Sequence, residues 1–120
     1  MISSLLLRVS TVLLLCGLVL GIAMAIREDF TLAPAHAHLN LIGFVLMFLV
    51  GLYYRIVPAA GAGLLATIQA TLLIIGAIVL PIGVALVLTG GTPIFAILGS
   101  LIVLAAMALF AWIVFRTAPA

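Results

Sequence analysis

The chain has 120 residues, of which 69% are hydrophobic and only 5% are charged, and its formal net charge is +2 at pH 7. An ordinary soluble domain has about 25% charged residues, so this composition excludes a protein with a solvated surface, a basic nucleic-acid-binding face or a disordered acidic tail. Most of the surface must therefore face lipid. Because a membrane-spanning helix needs about 20 apolar residues, the length allows one domain with at most four spans.

Four apolar segments predict four transmembrane helices. The first ends at the charged cluster Arg27-Glu28-Asp29, and the second has Pro34 in its first turn, where the missing N–H of proline is not needed. Glycine- and proline-rich turns separate the later spans. Strands are excluded because open sheet edges do not occur in hydrocarbon. We predict an all-α, integral membrane four-helix bundle that forms a single domain, residues 1–120. The predicted spans cover residues 5–26, 34–57, 64–88 and 94–115.

The arginines predict how the bundle is oriented. Arg8, Arg55 and Arg116 belong to one end of the predicted bundle, and only Arg27 belongs to the other. Cytoplasmic ends of membrane helices carry an excess of basic residues. The N-terminus and the C-terminus are therefore both expected inside, and we expect a multi-pass protein of the inner (cytoplasmic) membrane of a bacterium.

Two histidines open the second helix, His36 and His38, and an ionisable residue in a membrane span is a functional candidate. On a regular helix they lie about 200° apart, so they cannot hold one metal between them. The face below His36 is polar and small, which suits a helix contact or a flat ligand. The face below His38 is bulky and apolar, which predicts that His38 points toward lipid, the lipid headgroups or a second subunit. The first face comprises Asn40, Gly43, Met47, Gly51 and Tyr54, and the second Leu41, Val45, Phe48 and Leu52.

The other polar or small residues in the spans are typical of helix packing. Gly17 and Gly21 form a small-xxx-small pattern that lets two helices approach closely. Thr67, Gln69 and Thr71 in the third span predict hydrogen bonds between helices. We predict no catalytic role for these residues.

The chemistry available to the histidines is narrow. The sequence has no catalytic triad, paired carboxylates, phosphate loop or HExxH motif, so no catalytic residue is predicted. An imidazole in an apolar setting is a good axial ligand for heme iron. We predict that Gly43 and Gly51 leave space for the macrocycle and that Arg27 pairs with a propionate. His36 and His38 are the candidate iron ligands, with His36 favoured.

The stretch HAHLNLIGFVLMFLVGLYYRIVP resembles the second transmembrane helix of subunit I of the heme-copper oxidases, including the nitric oxide reductases, over roughly residues 34–60. In that family the helix begins on the outer side with a histidine that ligates the low-spin heme. Gly51 and Pro58 follow His36 by fifteen and twenty-two residues, which fits the family spacing better than counting from His38. The resemblance implies a heme b ligand.

The same resemblance limits the function. The family's copper-binding histidines and its high-spin heme ligand come from later helices, and this chain has no histidine other than His36 and His38. We therefore expect no copper and no complete oxygen- or nitric oxide-reducing site, so the resemblance gives no reason to predict an enzyme.

Three functions remain open. The first is a small cytochrome-like membrane protein for electron transfer or diatomic gas binding, in which a homodimer or higher homo-oligomer supplies a second axial histidine. The second is a cofactor-free accessory subunit of a larger respiratory or other membrane complex. Its interface residues would be Gly17, Gly21, Gly43 and Gly51. The third is a carrier of a metal or small molecule that uses His36, His38 and Met24.

Overall fold

A computed structural model describes residues 1–119, and in it four long helices form a bundle. Each helix is long and apolar enough to cross a membrane, and no strand occurs among these residues. The predicted all-α membrane bundle is confirmed, with each observed end within three residues of the predicted one. The helices are α1 (Ile2–Arg27), α2 (Ala33–Ile56), α3 (Leu64–Leu88) and α4 (Ile94–Thr117). A single helical turn, Pro58–Gly61, connects α2 to α3.

The helices pack as two hairpins. α1 packs mainly on α2, α4 packs mainly on α3, and α3 joins the hairpins through contacts with α2 and α1. The outer surfaces are apolar, with side chains such as Val19 and Leu104 about two-thirds exposed at 67% and 66%. These surfaces are suited to lipid contact, so the chain is a multi-pass membrane protein.

The α3–α4 hairpin has the closest helix contact. A Cβ atom added to Gly99 would lie 2.7 Å from Cα of Leu80, and one added to Gly83 would lie 2.5 Å from the carbonyl carbon of Phe95. The backbones of the two helices therefore touch at these glycines. Lipid tails are as apolar as the helices, so association inside a membrane depends on such close packing.

The α2 helix changes its winding below the histidines. Ala33–His38 and Met47–Ile56 are α-helical, whereas Leu39–Leu46 is π-helical. Segments of π-helix are rare and often occur at functional sites. The apolar pattern of α2 predicts a regular α-helix, so the π-helical segment differs from the prediction.

The two predicted faces of α2 are nevertheless confirmed. The face below His36 points into the bundle, and its buried residues are Gly43, Met47, Gly51 and Tyr54. On the face below His38, Leu41 is 60% exposed and Val45 is 44% exposed, while Phe48 and Leu52 are half-buried. The second face is thus available to lipid or to another chain.

A buried hydrogen-bond chain links three helices. The Tyr54 hydroxyl group donates to Oε1 of Gln69 at 2.8 Å, and Nε2 of Gln69 donates to the carbonyl oxygen of Ala106 at 3.3 Å. Tyr54, Gln69 and Ala106 belong to α2, α3 and α4. The interhelical role predicted for Gln69 is confirmed.

The same prediction was wrong for the two threonines beside Gln69. The hydroxyl group of Thr67 donates to the carbonyl oxygen of Gly63 at 3.3 Å, and that of Thr71 donates to the carbonyl oxygen of Thr67 at 2.7 Å. Both side chains are exposed, so no neighbouring helix offers them an acceptor. Each hydroxyl group instead bonds to the carbonyl four residues earlier in its own helix, a common solution for threonine.

Candidate functional site

The two histidines lie in the first turns of α2, at the end of the bundle that also contains Arg27 and that we call the histidine end. Asp29 fixes the loop before them, because its Oδ1 accepts hydrogen bonds from the Thr31 hydroxyl group at 2.6 Å and from the Thr31 N–H at 3.0 Å. These hydrogen bonds stabilise the carboxylate and lower the pKa of Asp29 below its usual value. α2 then begins at Ala33, with Pro34 in its first turn as predicted.

His36 and Asn40 face α1 and pack against its glycines. A Cβ atom added to Gly21 would lie 2.9 Å from Cε1 of His36, and one added to Gly17 would overlap the side-chain amide of Asn40. The small-residue pattern of α1 therefore makes space for His36 and Asn40 of the same chain, rather than for a partner protein.

The hydrogen bonding of His36 involves its Nε2 atom. Nδ2 of Asn40 lies 3.4 Å from Nε2 of His36, which is longer than the usual range of about 2.7–3.2 Å for an N–H hydrogen bond. Nδ1 of His36 and Oδ1 of Asn40 are buried and have no hydrogen-bond partner among residues 1–119. His36 thus lies inside a contact between two helices, with one ring nitrogen beside Asn40 and the other without a partner among residues 1–119.

His38 faces away from α1 and is hydrogen-bonded differently. Its Nδ1 atom lies 2.7 Å from the carbonyl oxygen of Pro34. Since a carbonyl oxygen only accepts, Nδ1 carries the proton and the lone pair lies on Nε2. Metal-binding histidines commonly donate one ring N–H to a backbone carbonyl in this way, which fixes the ring and leaves the other nitrogen as the ligand. The half-buried ring of His38 therefore has the tautomer of an axial ligand.

Leucine side chains of α1 fill the space beside the two glycines assigned to the macrocycle. A Cβ atom added to Gly43 would lie 3.2 Å from Cβ of Leu13, and one added to Gly51 would lie 3.2 Å from Cβ of Leu6 and from Cγ of Leu7. A macrocycle beside Gly43 or Gly51 would have to displace α1. Heme contact at these glycines stays a prediction, and in this structure both pack against α1.

Arg27 is the last residue of α1, and its side chain is exposed at the histidine end. It lies at a pocket of about 70 Å³ that Met24 and Asp29 also line. Cofactor sites usually measure roughly 300–1,000 Å³, so this pocket cannot enclose a macrocycle. Arg27 can reach an anionic group only at the outer surface of the bundle.

Each chain offers few metal ligands. No group of three or more His, Cys, Asp or Glu side chains comes together among residues 1–119.

Comparison of the chain with models of protein families, with curated proteins and with solved structures finds no match. A function is therefore inferred from the hydrogen bonds and contacts of the candidate side chains.

The fit to heme differs between the inside and the outside of the bundle. Inside, His36, Gly43 and Gly51 are all in contact with α1. Outside, His38 has an available nitrogen and lies above the exposed apolar side chains of Leu41 and Val45. The outer face therefore has open surface beside a histidine, whereas the space beside His36, Gly43 and Gly51 is filled by packed side chains and by α1.

Proposed function

We propose that the chain is a small membrane cytochrome that binds heme b at the histidine end, between two copies of the chain, with His38 of each copy as an axial ligand. The observation that carries this proposal is the 2.7 Å hydrogen bond between Nδ1 of His38 and the Pro34 carbonyl oxygen. It leaves Nε2 with its lone pair on the outer face of α2. The sequence alone favours His36, but the His36 ring packs against Gly21 of α1 and lies beside Asn40, so we favour His38 as the ligand.

A second copy of the chain would supply the second axial ligand of the heme. One chain has one histidine on the outer face of α2, and a two-fold dimer presents the same residue from both sides. Leu41 and Val45 lie on the same face and provide apolar surface for contact with a macrocycle. Dimerisation through this face would also remove these exposed side chains from lipid.

Arg27 is the candidate partner for a heme propionate. Its exposed guanidinium group is at the same end of the bundle as His38, and arginine pairs with carboxylates through two parallel hydrogen bonds. When bound, heme b would supply one-electron chemistry and, with an open coordination position, diatomic gas binding. Two His38 ligands favour electron transfer. With the basic end inside, as the arginines predict, this heme would lie at the outer surface of a bacterial cytoplasmic membrane.

Absorption spectra test this proposal. The full chain is expressed in cells supplied with a heme precursor, purified in mild detergent, and measured oxidised, reduced and exposed to carbon monoxide. We expect sharp α and β bands on reduction that carbon monoxide does not change, because two imidazoles fill both axial positions. A spectrum that changes with carbon monoxide would contradict two His38 ligands. A colourless protein would contradict heme binding and favour the accessory subunit of a larger membrane complex.

A further inference from the structure

The opposite end of the bundle, which we call the arginine end because it contains Arg55 and Arg116, has a pocket of its own. Its volume is about 280 Å³. One wall is the first turn of α1, and the other is the end of α2 with the turn that follows it. The lining residues include Ile2, Ser3, Ser4, Tyr54, Arg55 and Pro58.

The polar side of this pocket is positively charged and preorganised. Nη2 of Arg55 donates a hydrogen bond to Oγ of Ser4 at 2.9 Å, which joins α2 to α1 and holds the guanidinium group at the pocket. This bond uses one of five guanidinium N–H donors. The Ser4 hydroxyl group, which accepts from Arg55, keeps its own hydrogen for donation to a second acceptor.

No acidic side chain among residues 1–119 is near enough to neutralise Arg55. The two acidic residues of the chain are Glu28 and Asp29, which follow the far end of α1. Glu28 comes twenty-four residues after Ser4, a separation of about 36 Å along a helix that rises 1.5 Å per residue. Arg8 is four residues after Ser4 on the same side of α1, so a second guanidinium group can extend toward this end.

The remaining lining is apolar and adjoins the lipid-facing surface. Ile2 and Pro58 contribute apolar atoms, and the ring of Tyr54 forms a buried part of the lining. Arginine binds phosphate oxygens through two parallel N–H groups, and basic pockets between membrane helices bind anionic lipid headgroups. A ligand for this pocket therefore combines a phosphate group with a hydrocarbon chain.

We propose that the pocket between the start of α1 and the end of α2 binds the phosphate group of an anionic phospholipid, through Arg55 and Ser4. The lipid's acyl chains would lie along the apolar surface of the bundle, at the boundary of the membrane. This site is independent of heme binding, because it lies at the other end of the helices and involves neither histidine.

Intact-complex mass spectrometry of the full chain in detergent tests the proposal. The fraction of protein carrying one lipid is measured against the concentration of phosphatidylglycerol, of phosphatidylcholine and of inorganic phosphate. We expect phosphatidylglycerol to bind at the lowest concentration. Arg55→Gln should weaken its binding about five-fold, since one basic residue near the membrane surface contributes about 1 kcal/mol. Ser4→Ala should also weaken it, because the hydroxyl group and the position of Arg55 are both lost.

Arg116→Gln is the matched control. It removes the same charge at the same end, but Arg116 lines a neighbouring pocket of about 160 Å³ with Thr117 and Ile113. We expect it to leave the affinity for phosphatidylglycerol nearly unchanged. An equal loss in Arg116→Gln and Arg55→Gln would overturn the proposal, because it would indicate general surface charge. Equal binding of phosphatidylcholine, or equal binding of inorganic phosphate, would overturn it as well.

Discussion

Gly83→Ala is expected to lower the free energy of unfolding by about 3 kcal/mol, the upper part of the range for overpacking a core. The new Cβ atom would lie 2.5 Å from the carbonyl carbon of Phe95 and 2.7 Å from Cα of Ala96. These are backbone atoms of the next helix, so no side chain can rotate away to relieve the contact. α3 and α4 would have to separate at the place where their backbones are closest. Unfolding of the purified chain in mixed micelles with increasing sodium dodecyl sulfate measures the loss.

Gly51→Ala serves as the matched control for this substitution. A Cβ atom there would lie 3.2 Å from side-chain atoms of Leu6 and Leu7, which can shift by a few tenths of an ångström. Alanine is also a better helix former than glycine by about 1 kcal/mol. We expect Gly51→Ala to change the stability far less than Gly83→Ala. Equal effects of the two variants would mean that backbone contact between α3 and α4 does not limit stability.

His38→Ala is expected to lower the affinity for heme by more than about 100-fold. Removing a residue that only hydrogen-bonds to a metal ligand already lowers metal affinity about 10–100-fold, and His38 is the proposed ligand itself. The substitution removes the imidazole whose Nδ1 donates to the Pro34 carbonyl oxygen and whose Nε2 is the proposed ligand atom. The heme-to-chain ratio of the purified protein measures this loss. Circular dichroism shows whether the variant keeps its helices.

His36→Ala is the matched control, since it removes the same group two residues away on the other face of α2. The His36 ring packs on Gly21, so its loss should leave a small cavity between α1 and α2 and a modest loss of stability. Heme binding should be retained. Loss of heme in His36→Ala with full retention in His38→Ala would contradict the ligand assignment and support the one that the sequence favours.

Much of the architecture was predictable because lipid imposes strong constraints on sequence. Long apolar segments must be helical in hydrocarbon, so the four spans follow from composition and from their proline and glycine boundaries. The inward face of α2 was also predictable, because Gly43, Met47 and Tyr54 recur at helical spacing. The intervening π-helical segment did not change which face is buried.

The details of the site were not predictable, because they depend on which neighbouring atoms each side chain meets. The sequence places His36 on a small-residue face, but it does not show that the His36 ring already contacts Gly21 and Asn40. It does not reveal that the Pro34 carbonyl selects the tautomer of His38. Spacing alone identifies candidate histidines but does not rank them.

The same limit applies to the contacts between distant segments. Gly83 is one of eleven glycines, and nothing local distinguishes it as the point where two backbones touch. Arg55 contributes to the predicted orientation, yet its hydrogen bond to Ser4 joins residues 51 positions apart. Such pairs become visible only when the helices are assembled.

The mass of the intact complex tests the central claim, a heme shared by two copies of the chain, most directly. The full chain is produced with a heme precursor, purified in mild detergent and transferred intact to the mass spectrometer. We expect a species with the mass of two chains and one heme b. Chains or dimers that carry no heme, under conditions in which a control cytochrome is fully loaded, would contradict it.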